Sequence, residues 1–339
     1  MKISVVIPCR NEAPFIEECL HAIYSSNLPE NTQISVFVVD GISDDGTRDI
    51  IFKLTKIYDS LKIIDNTKQL TPFAFNLGIY AQKCDYVQII GARHIISDNY
   101  IANCLSKLET DKSIWCVGGK IINEYINNTG RVIASVMGTQ LGMGIGNFRT
   151  LNKSGFTDTV TSPMYPFWVF EKIGYFDEDL IRNQDDDFNF RVTQAGGEIY
   201  FDSEIYLKYY VRGDYKNVRK QFYQYGYWKV YVNQKHQAVT TYRQLVPPLF
   251  VAYLFLFLIS CLFGVLAGLI SGFPLLIYLI LVTIVSSNLV QKDLDLRFGD
   301  VFKTFPLLHI SYGLGYLRGL YEFIIMKRKP SESQKKLSR

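Results

Sequence analysis

Between Arg243 and Lys292 the chain carries no Asp, Glu, Lys, Arg or His. A soluble monomer has little use for so long an uncharged, apolar run. A bilayer has, because roughly 20 apolar residues in a helix cross a hydrocarbon core about 30 Å thick. Ser271-Gly272 divides the run into two expected spans, residues 245–270 and 273–290. The turn between them has no positive charge, and Arg243 and Lys292 flank the pair. The positive-inside rule then places the turn outside and both flanks in the cytoplasm.

The surroundings of this run follow from it. Residues 211–243, RGDYKNVRKQFYQYGYWKVYVNQKH at their centre, mix basic and aromatic side chains. A solvated amphipathic connector has such a composition, but so does a segment beside a membrane, where Tyr and Trp lie at headgroup depth and Lys or Arg meets anionic lipid. The apolar run begins immediately afterwards, which favours the interfacial reading. A third apolar segment, residues 302–326, carries Lys303, His309, Arg318 and Glu322. If it spanned, the basic tail 327–339 would lie outside, against the charge rule. Arg318 and Glu322 stand i,i+4, as on a solvent- or headgroup-facing stripe. An interfacial or re-entrant helix is therefore expected, giving transmembrane and interfacial helices over 244–326 and a cytoplasmic tail over 327–339.

Residues 1–210 read differently. Short apolar runs at 3–7, 34–39, 61–64 and 86–90 alternate with helical spacing at 12–25, 47–58, 72–81 and 97–108. This is an α/β pattern, and it predicts a mostly parallel sheet with helices on both faces. Such sheets bind ligands at the carboxyl ends of their strands. Those positions are held by Pro8-Cys9-Arg10-Asn11-Glu12, Asp40-Gly41 and Gly91-Ala92-Arg93-His94. Gly118-Gly119 is expected to mark a turn. GMGIGNF, with Gly142, Gly144 and Gly146, follows no clear strand and is expected to be a flexible acceptor-side loop rather than a phosphate cradle.

Several classes drop out. Lys+Arg 36 against Asp+Glu 32 leave a net charge of +4, too mild to argue for nucleic acid. The cysteines, Cys9, Cys19, Cys84, Cys104, Cys116 and Cys261, form no C-x-x-C pair, so a zinc site is not expected. No G-x-G-x-x-G follows the first strand, which argues against a dinucleotide oxidoreductase.

Taken in order, VVIPCRNE, then VVDGISDDGT, then GYFDEDLIRNQDDDFNFRVTQAGGEIYF resemble the motifs of family 2 glycosyltransferases. KQFYQYGYWK and the apolar C-terminus resemble their membrane-associated branch that builds bacterial exopolysaccharide, the succinoglycan type. The resemblance implies the GT-A nucleotide-diphospho-sugar transferase fold over residues 1–210. It implies a nucleoside diphosphate sugar donor, with a polyprenyl-diphosphate-linked or saccharide acceptor, and membrane lipid as a neighbour. Pro8, Arg10 and Glu12 would line the nucleoside pocket, Asp40 would accept from base or ribose, and Asn76 would add a donor contact. Asp40 has a plainer alternative as a turn former, and Asn76 as an ordinary exposed helix residue.

An inverting transfer needs a carboxylate to take the acceptor's hydroxyl proton. The resemblance maps that base onto Asp185, within Gln184-Asp185-Asp186-Asp187, where Gln184 replaces the usual Glu. The plainer alternative for this run is a helix N-terminus, which attracts carboxylates anyway. Arg191 matches the Arg that follows the motif, and a pairing with Asp187 one turn back would be structural. Gln184, Asp186, Asp187, Arg191, Gln221 and Trp228 are expected on the acceptor side. Processive synthases carry Q-x-x-R-W and more spans, so addition of a single sugar fits better.

One departure stands out. The usual Asp-x-Asp metal motif is replaced by Gly91-Ala92-Arg93, followed by His94. The usual hard oxygen ligands for magnesium or manganese are lost, and no metal ligand is assigned. Arg93, with His94, would supply a fixed cation for the diphosphate instead. The alternative is a catalytically degenerate relative that serves as a nucleotide-binding or partner subunit in polysaccharide assembly.

Overall fold

A computed structural model describes residues 1–146 and 148–330. The chain forms two compact units. One comprises Met1–Ile122 and Leu151–Tyr210, the other Asn123–Thr150 and Val211–Arg339.

The first unit opens with β1 (Lys2–Cys9), α1 (Ile16–Tyr24), β2 (Gln33–Asp40), α2 (Thr47–Leu54), β3 (Leu61–Asp65), α3 (Thr71–Tyr80) and β4 (Tyr86–Ile89). β1 pairs in parallel with β2 and β4, and β2 with β3. Their inner residues, such as Val5, Val6, Val36, Val38 and Val87, have no solvent contact. Strands buried on both faces read as continuous rather than alternating apolar runs. β5 (His94–Ile96), α4 (Tyr100–Thr110) and β6 (Ile114–Glu124) follow. After α5 (Asn128–Met137) and α6 (Gln140–Met143), which belong to the second unit, come β7 (Gly155–Phe156), β8 (Thr161–Pro166), α7 (Phe167–Ile173), α8 (Gln184–Gln194) and β9 (Glu198–Tyr210). The sheet order is β3-β2-β1-β4-β8-β6-β9-β5, with β7 on β9.

The expectation of a mostly parallel sheet holds only as far as β4. β8 runs antiparallel to β4 and β6, and β9 antiparallel to β5 and β7, so the sheet is mixed. Gly118 and Gly119 are not a turn either; they lie inside β6. A Cβ on Gly118 would stand 2.4 Å from the Thr161 oxygen, and one on Gly119 2.6 Å from the Ile205 oxygen. They are glycines because neighbouring strands press on them.

In the second unit, α9 (Tyr215–His236) leads through a short 3-10 turn, Tyr242–Leu245, into α10 (Val246–Ser260). A second such turn, Cys261–Phe263, and Gly264 precede α11 (Val265–Lys292). α12 (Phe298–Gly319) continues as a π-helical turn, Leu320–Ile325. Tyr242–Phe263 and Val265–Lys292 are both long and apolar enough to cross a membrane.

The break between the two expected spans falls at Gly264, not at Ser271-Gly272. Gly264 has φ 112°, which a side chain resists. Ser271 is helical and ties the hairpin together: its Oγ lies 2.5 Å from Ser260 Oγ and donates to the Ala267 oxygen at 2.7 Å. Tyr253 completes the tie beside Pro274. Its hydroxyl donates to the Ser271 oxygen at 2.7 Å and accepts from Leu275 N at 3.0 Å, filling a gap in the helical ladder.

Residues 211–243 do not form a solvated connector. α9 buries Val218, Phe222, Tyr227, Trp228 and Val230 and packs backbone-to-backbone on α12. A Cβ on Gly226 would lie 2.0 Å from the Tyr312 oxygen, and one on Gly315 2.0 Å from the Tyr223 oxygen. The Arg318–Glu322 pair forms at 2.6 Å. Glu322 nevertheless turns inward and is buried, accepting the Tyr227 hydroxyl, so the pair is not a headgroup-facing stripe.

The expected 1–210 domain is corrected over residues 123–150, which join the second unit. Arg131 of α5 forks onto Asp293 at 2.7 and 2.6 Å and also binds Asp295. His309 Nε2 lies 2.9 Å from the Leu141 oxygen, and Arg243 Nη1 donates to the Gly146 oxygen at 3.3 Å. Of the expected basic tail, residues 331–339 lie outside the described residues.

Candidate active site

The carboxyl ends of β1 and β2 are knitted together before any ligand is considered. Asn11 N donates to Ser43 Oγ and Asn11 Nδ2 to Asp44 Oδ1, both at 2.8 Å. Glu12 N donates to Thr47 Oγ1 at 2.8 Å, and Ala13 N to Asp45 Oδ2 at 3.1 Å. Burial opposes ionisation of Asp45, but hydrogen bonds from Thr47 and Ala13 outweigh it and hold the carboxyl below its ordinary range. Asn11 sits at φ 55°, a left-handed conformation that Asn tolerates. Pro8 stands opposite Val39 at this rim. The Arg10 side chain lies along Gly41, where an added Cβ would come 3.0 Å from Arg10 Cδ.

Asp40 departs from its expected role. It is fully buried. One oxygen accepts Ser43 N at 2.9 Å and Arg48 Nη1 at 2.8 Å, and the other accepts the Ser43 hydroxyl. Arg48 also holds Asp65 at 2.8 Å, and these carboxylates raise its pKa. Asp40 therefore shapes the loop after β2 and presents no surface to a base or ribose. Its plainer alternative as a turn former is the one observed.

Arg93 follows β4 and is braced from two sides. Its Nε donates to Glu12 Oε2 at 2.7 Å, and its guanidinium carbon lies 4.7 Å from the centroid of the Phe15 ring. Among the described residues neither Nη group has a hydrogen-bond partner, although the side chain is only 22% exposed. The result is a fixed cation with two donors still to satisfy. His94 is held by the Ser162 hydroxyl at 2.7 Å and by Gly91 N at 3.3 Å, against the edge of Tyr209.

Asn76 is not a donor contact. It is buried in α3 and its amide clamps another segment: Nδ2 donates to the Phe176 oxygen at 2.9 Å and to Glu178 at 3.0 Å, while Oδ1 accepts Phe176 N at 3.0 Å. All of its bonding goes to the 176–178 loop.

The acidic run begins α8, after Asn183 at φ 59°. Asp185 is exposed, Asp186 half-buried and Asp187 buried. Asp187 Oδ2 accepts from Arg191 at 3.0 Å, as the spacing suggested. Arg191 also donates to the Ile173 oxygen at 2.7 Å and the Tyr175 oxygen at 2.8 Å. Asn189, one turn past Asp185, accepts from the Tyr165 hydroxyl at 2.9 Å and donates to Thr159 at 3.1 Å. Burial raises the Tyr165 pKa strongly, with the neighbouring Cys116 and then Asp185 adding to the shift, so the phenol stays protonated. α8 is thus pinned to β8 by its inner face while its first turn presents carboxylates. Among the described residues Gln184 Oε1 is buried without a hydrogen-bond partner.

Gln221 and Trp228 do not belong to this unit. Both are buried in the second. Gln221 donates to the Tyr225 hydroxyl at 2.7 Å, and Trp228 meets Tyr227 and Tyr231 edge-on. An acceptor-side role for them is replaced by a core role in α9. Residues that sequence reasoning passed over include Arg48, Ser43, Thr47, Phe15 and Asn189. The polar string GISDDGT signalled Ser43 and Thr47 and ends one residue before Arg48; Phe15 and Asn189 gave no signal.

A divalent metal finds little here. Residues 91–94 offer no carboxylate. Among the described residues no group of three or more His, Cys, Asp or Glu is arranged to hold a metal ion. This donor set does not fit magnesium or manganese, which take oxygen ligands.

Comparison with known proteins follows the same lines. The sequence model of Glycosyl transferase family 2 matches residues 4–174. A dolichyl N-acetyl-alpha-D-glucosaminyl phosphate 3-beta-D-2,3-diacetamido-2,3-dideoxy-beta-D-glucuronosyltransferase of Methanococcus voltae is 29% identical over 94% of this chain and 97% of its own. The succinoglycan biosynthesis protein ExoA of Rhizobium meliloti (strain 1021) is 26% identical over 72% of this chain and 73% of its own. Among solved structures, the mannosyltransferase PcManGT of Pyrobaculum calidifontis, in complex with GDP-Man and Mn2+, superposes with a TM-score of 0.65 at 17% identity. It covers 94% of this chain and 87% of its own, a likeness of fold.

Proposed function

We propose, from the premise that this chain belongs to glycosyl transferase family 2, that it moves one sugar with inversion from a nucleoside diphosphate sugar to a lipid-linked acceptor. The work is done at the cytoplasmic face of a cell inner membrane, to which α10 and α11 attach the chain, and it serves surface-polysaccharide or glycan assembly. The Methanococcus voltae relative, whose name carries a dolichyl-linked sugar phosphate, supports the choice of acceptor.

The chemistry is assigned as follows. The acceptor hydroxyl oxygen attacks the anomeric carbon while Asp185 takes its proton. The bond from that carbon to the diphosphate oxygen breaks, and the nucleoside diphosphate leaves with the electron pair. Arg93 meets the charge that develops there, its two Nη groups reaching two phosphate oxygens as a fork. Glu12 acts through Arg93 by bracing it, and Pro8 and Arg10 line the nucleoside side. No step needs a divalent metal.

The observation that carries this reading is the division of labour within the acidic run. Asp187 is buried and pairs with Arg191, whereas Asp185, two residues earlier, lies at the exposed surface of the first turn of the same pinned helix, where an acceptor can reach it. Asp185→Asn tests it, with nucleotide release measured across a panel of nucleotide sugars in the presence of membrane lipid extract as acceptor. Loss of a general base should lower turnover by roughly 10²–10⁴ while donor binding stays near the parent value. Transfer at the parent rate would remove Asp185 from the mechanism. If the parent chain releases no nucleotide from any donor, the non-catalytic alternative gains.

A further inference from the structure

We infer that the turn 144–146, tipped by Ile145, is a finger that enters the lipid headgroup layer. This rests on reading Tyr242–Phe263 and Val265–Lys292 as membrane spans.

The finger and its seat lie within the second unit. Gly144 and Gly146 have φ of 88° and 77°, so the chain doubles back on either side of Ile145. Ile145 projects with 77% of its surface exposed. A β-branched apolar side chain at the tip of a two-glycine turn is poorly placed for water and well placed for an apolar boundary.

Its height is fixed by what the turn touches. Arg243 Nη1 donates to the Gly146 oxygen, and Arg243 Cδ would lie 4.0 Å from a Cβ on Gly144. Arg243 is the last charge before the uncharged run, where a long cationic side chain reaches up to the headgroups. Tyr242 beside it is 84% exposed, an aromatic at the depth where membrane proteins concentrate Tyr and Trp. The other end of the same insert is anchored just past the second span, by the Arg131 fork onto Asp293 next to Lys292. The insert is therefore tied to the charged flank of each span, and both flanks lie on the same side of the bilayer when two spans form a hairpin. Held at both ends at that level, its apolar tip meets lipid.

The experiment uses the full chain reconstituted in vesicles of phosphatidylethanolamine and phosphatidylglycerol. The exposed native thiol is first removed as Cys261→Ser, and the environment-sensitive fluorophore NBD is then attached at Ile145→Cys or, separately, at Ile280→Cys in α11. Nitroxide lipids labelled near the headgroup or near the chain end serve as quenchers, and iodide reports access to water. The expected result is that the probe at 145 emits to the blue of its aqueous position, is quenched severalfold more by the headgroup-proximal nitroxide, and resists iodide. The probe at 280 should be quenched best by the chain-end nitroxide. If the probe at 280 is lipid-quenched but that at 145 responds only to iodide, the finger is wrong and the spans stand. If neither responds to lipid, the membrane reading itself falls, and the finger with it.

Discussion

Arg93→Ala isolates the claim that a side chain replaces a metal. In the parent, Glu12 at 2.7 Å and the Phe15 ring at 4.7 Å hold the guanidinium before substrate arrives, so little reorganisation is left for the reaction. Each charge-assisted hydrogen bond is worth about 1.5–3 kcal/mol. Only the part that grows as the diphosphate leaves accelerates the reaction. Loss of one preorganised donor group of this kind typically costs about 2.7–4 kcal/mol, or ~10²–10³ in kcat, and that is the expected loss for Arg93→Ala. Arg93→Lys should recover part of it, because a point charge is restored but the fork is not. Glu12→Gln should fall between parent and Arg93→Ala, since the cation stays but one brace weakens. Nucleotide release with a fixed donor, with and without EDTA, reads all three, and the parent's turnover should survive chelation. Full loss of activity in EDTA, restored by manganese, together with an unimpaired Arg93→Ala enzyme, would refute the reasoning and return the site to metal chemistry.

Two further substitutions separate structural from catalytic parts. Arg191→Ala should lower stability by about 3 kcal/mol, because it removes the cation paired with the buried Asp187 and releases the carbonyls of Ile173 and Tyr175; a melting curve reads the loss, and an unchanged midpoint would mean the pair is not part of the fold. Asn76→Ala should destabilise by about 1–3 kcal/mol through the same kind of loss while leaving nucleotide affinity unchanged in a binding titration, whereas weakened binding in a still-folded variant would restore Asn76 to the donor pocket.

What could be read from the sequence depended on how local its cause was. The first four strands and three helices lie close to where periodicity placed them, because each strand is a short run rich in Ile, Val and other apolar residues that ends at a polar turn or a helix. The antiparallel half was not legible. β8 is TSPMYP, whose two prolines hide a strand that is fixed by pairing with β4 and β6 rather than by propensity. Gly118 and Gly119 misled for the same reason: a glycine required by a neighbouring backbone looks like a glycine required by a turn. Within the apolar run, Ser271-Gly272 and Gly264 are equally plausible breaks until the Ser271–Ser260 bond is visible. At the site, the spacing of Asp187 and Arg191 announced their pairing. Asp40 and Asn76 were misjudged, because whether a polar side chain at a strand end faces ligand or protein depends on partners such as Arg48 and Phe176 that the sequence does not bring near them.

The clamp on α5 has a consequence for how the chain is made. Arg131 is synthesised 162 residues before Asp293, its partner. At roughly 5–20 residues per second, an emerging chain exposes that helix for ~10–30 s before the loop it binds exists. The sheet strands β7, β8 and β9 emerge meanwhile, so the first unit can complete its sheet while α5 still has nowhere to dock. The docking loop leaves the ribosome only after the hairpin of α10 and α11. Assembly of the second unit is therefore scheduled last, behind delivery of that hairpin to the bilayer. A chain whose hairpin is delayed would be left with α5 undocked, open to proteolysis and to holding chaperones.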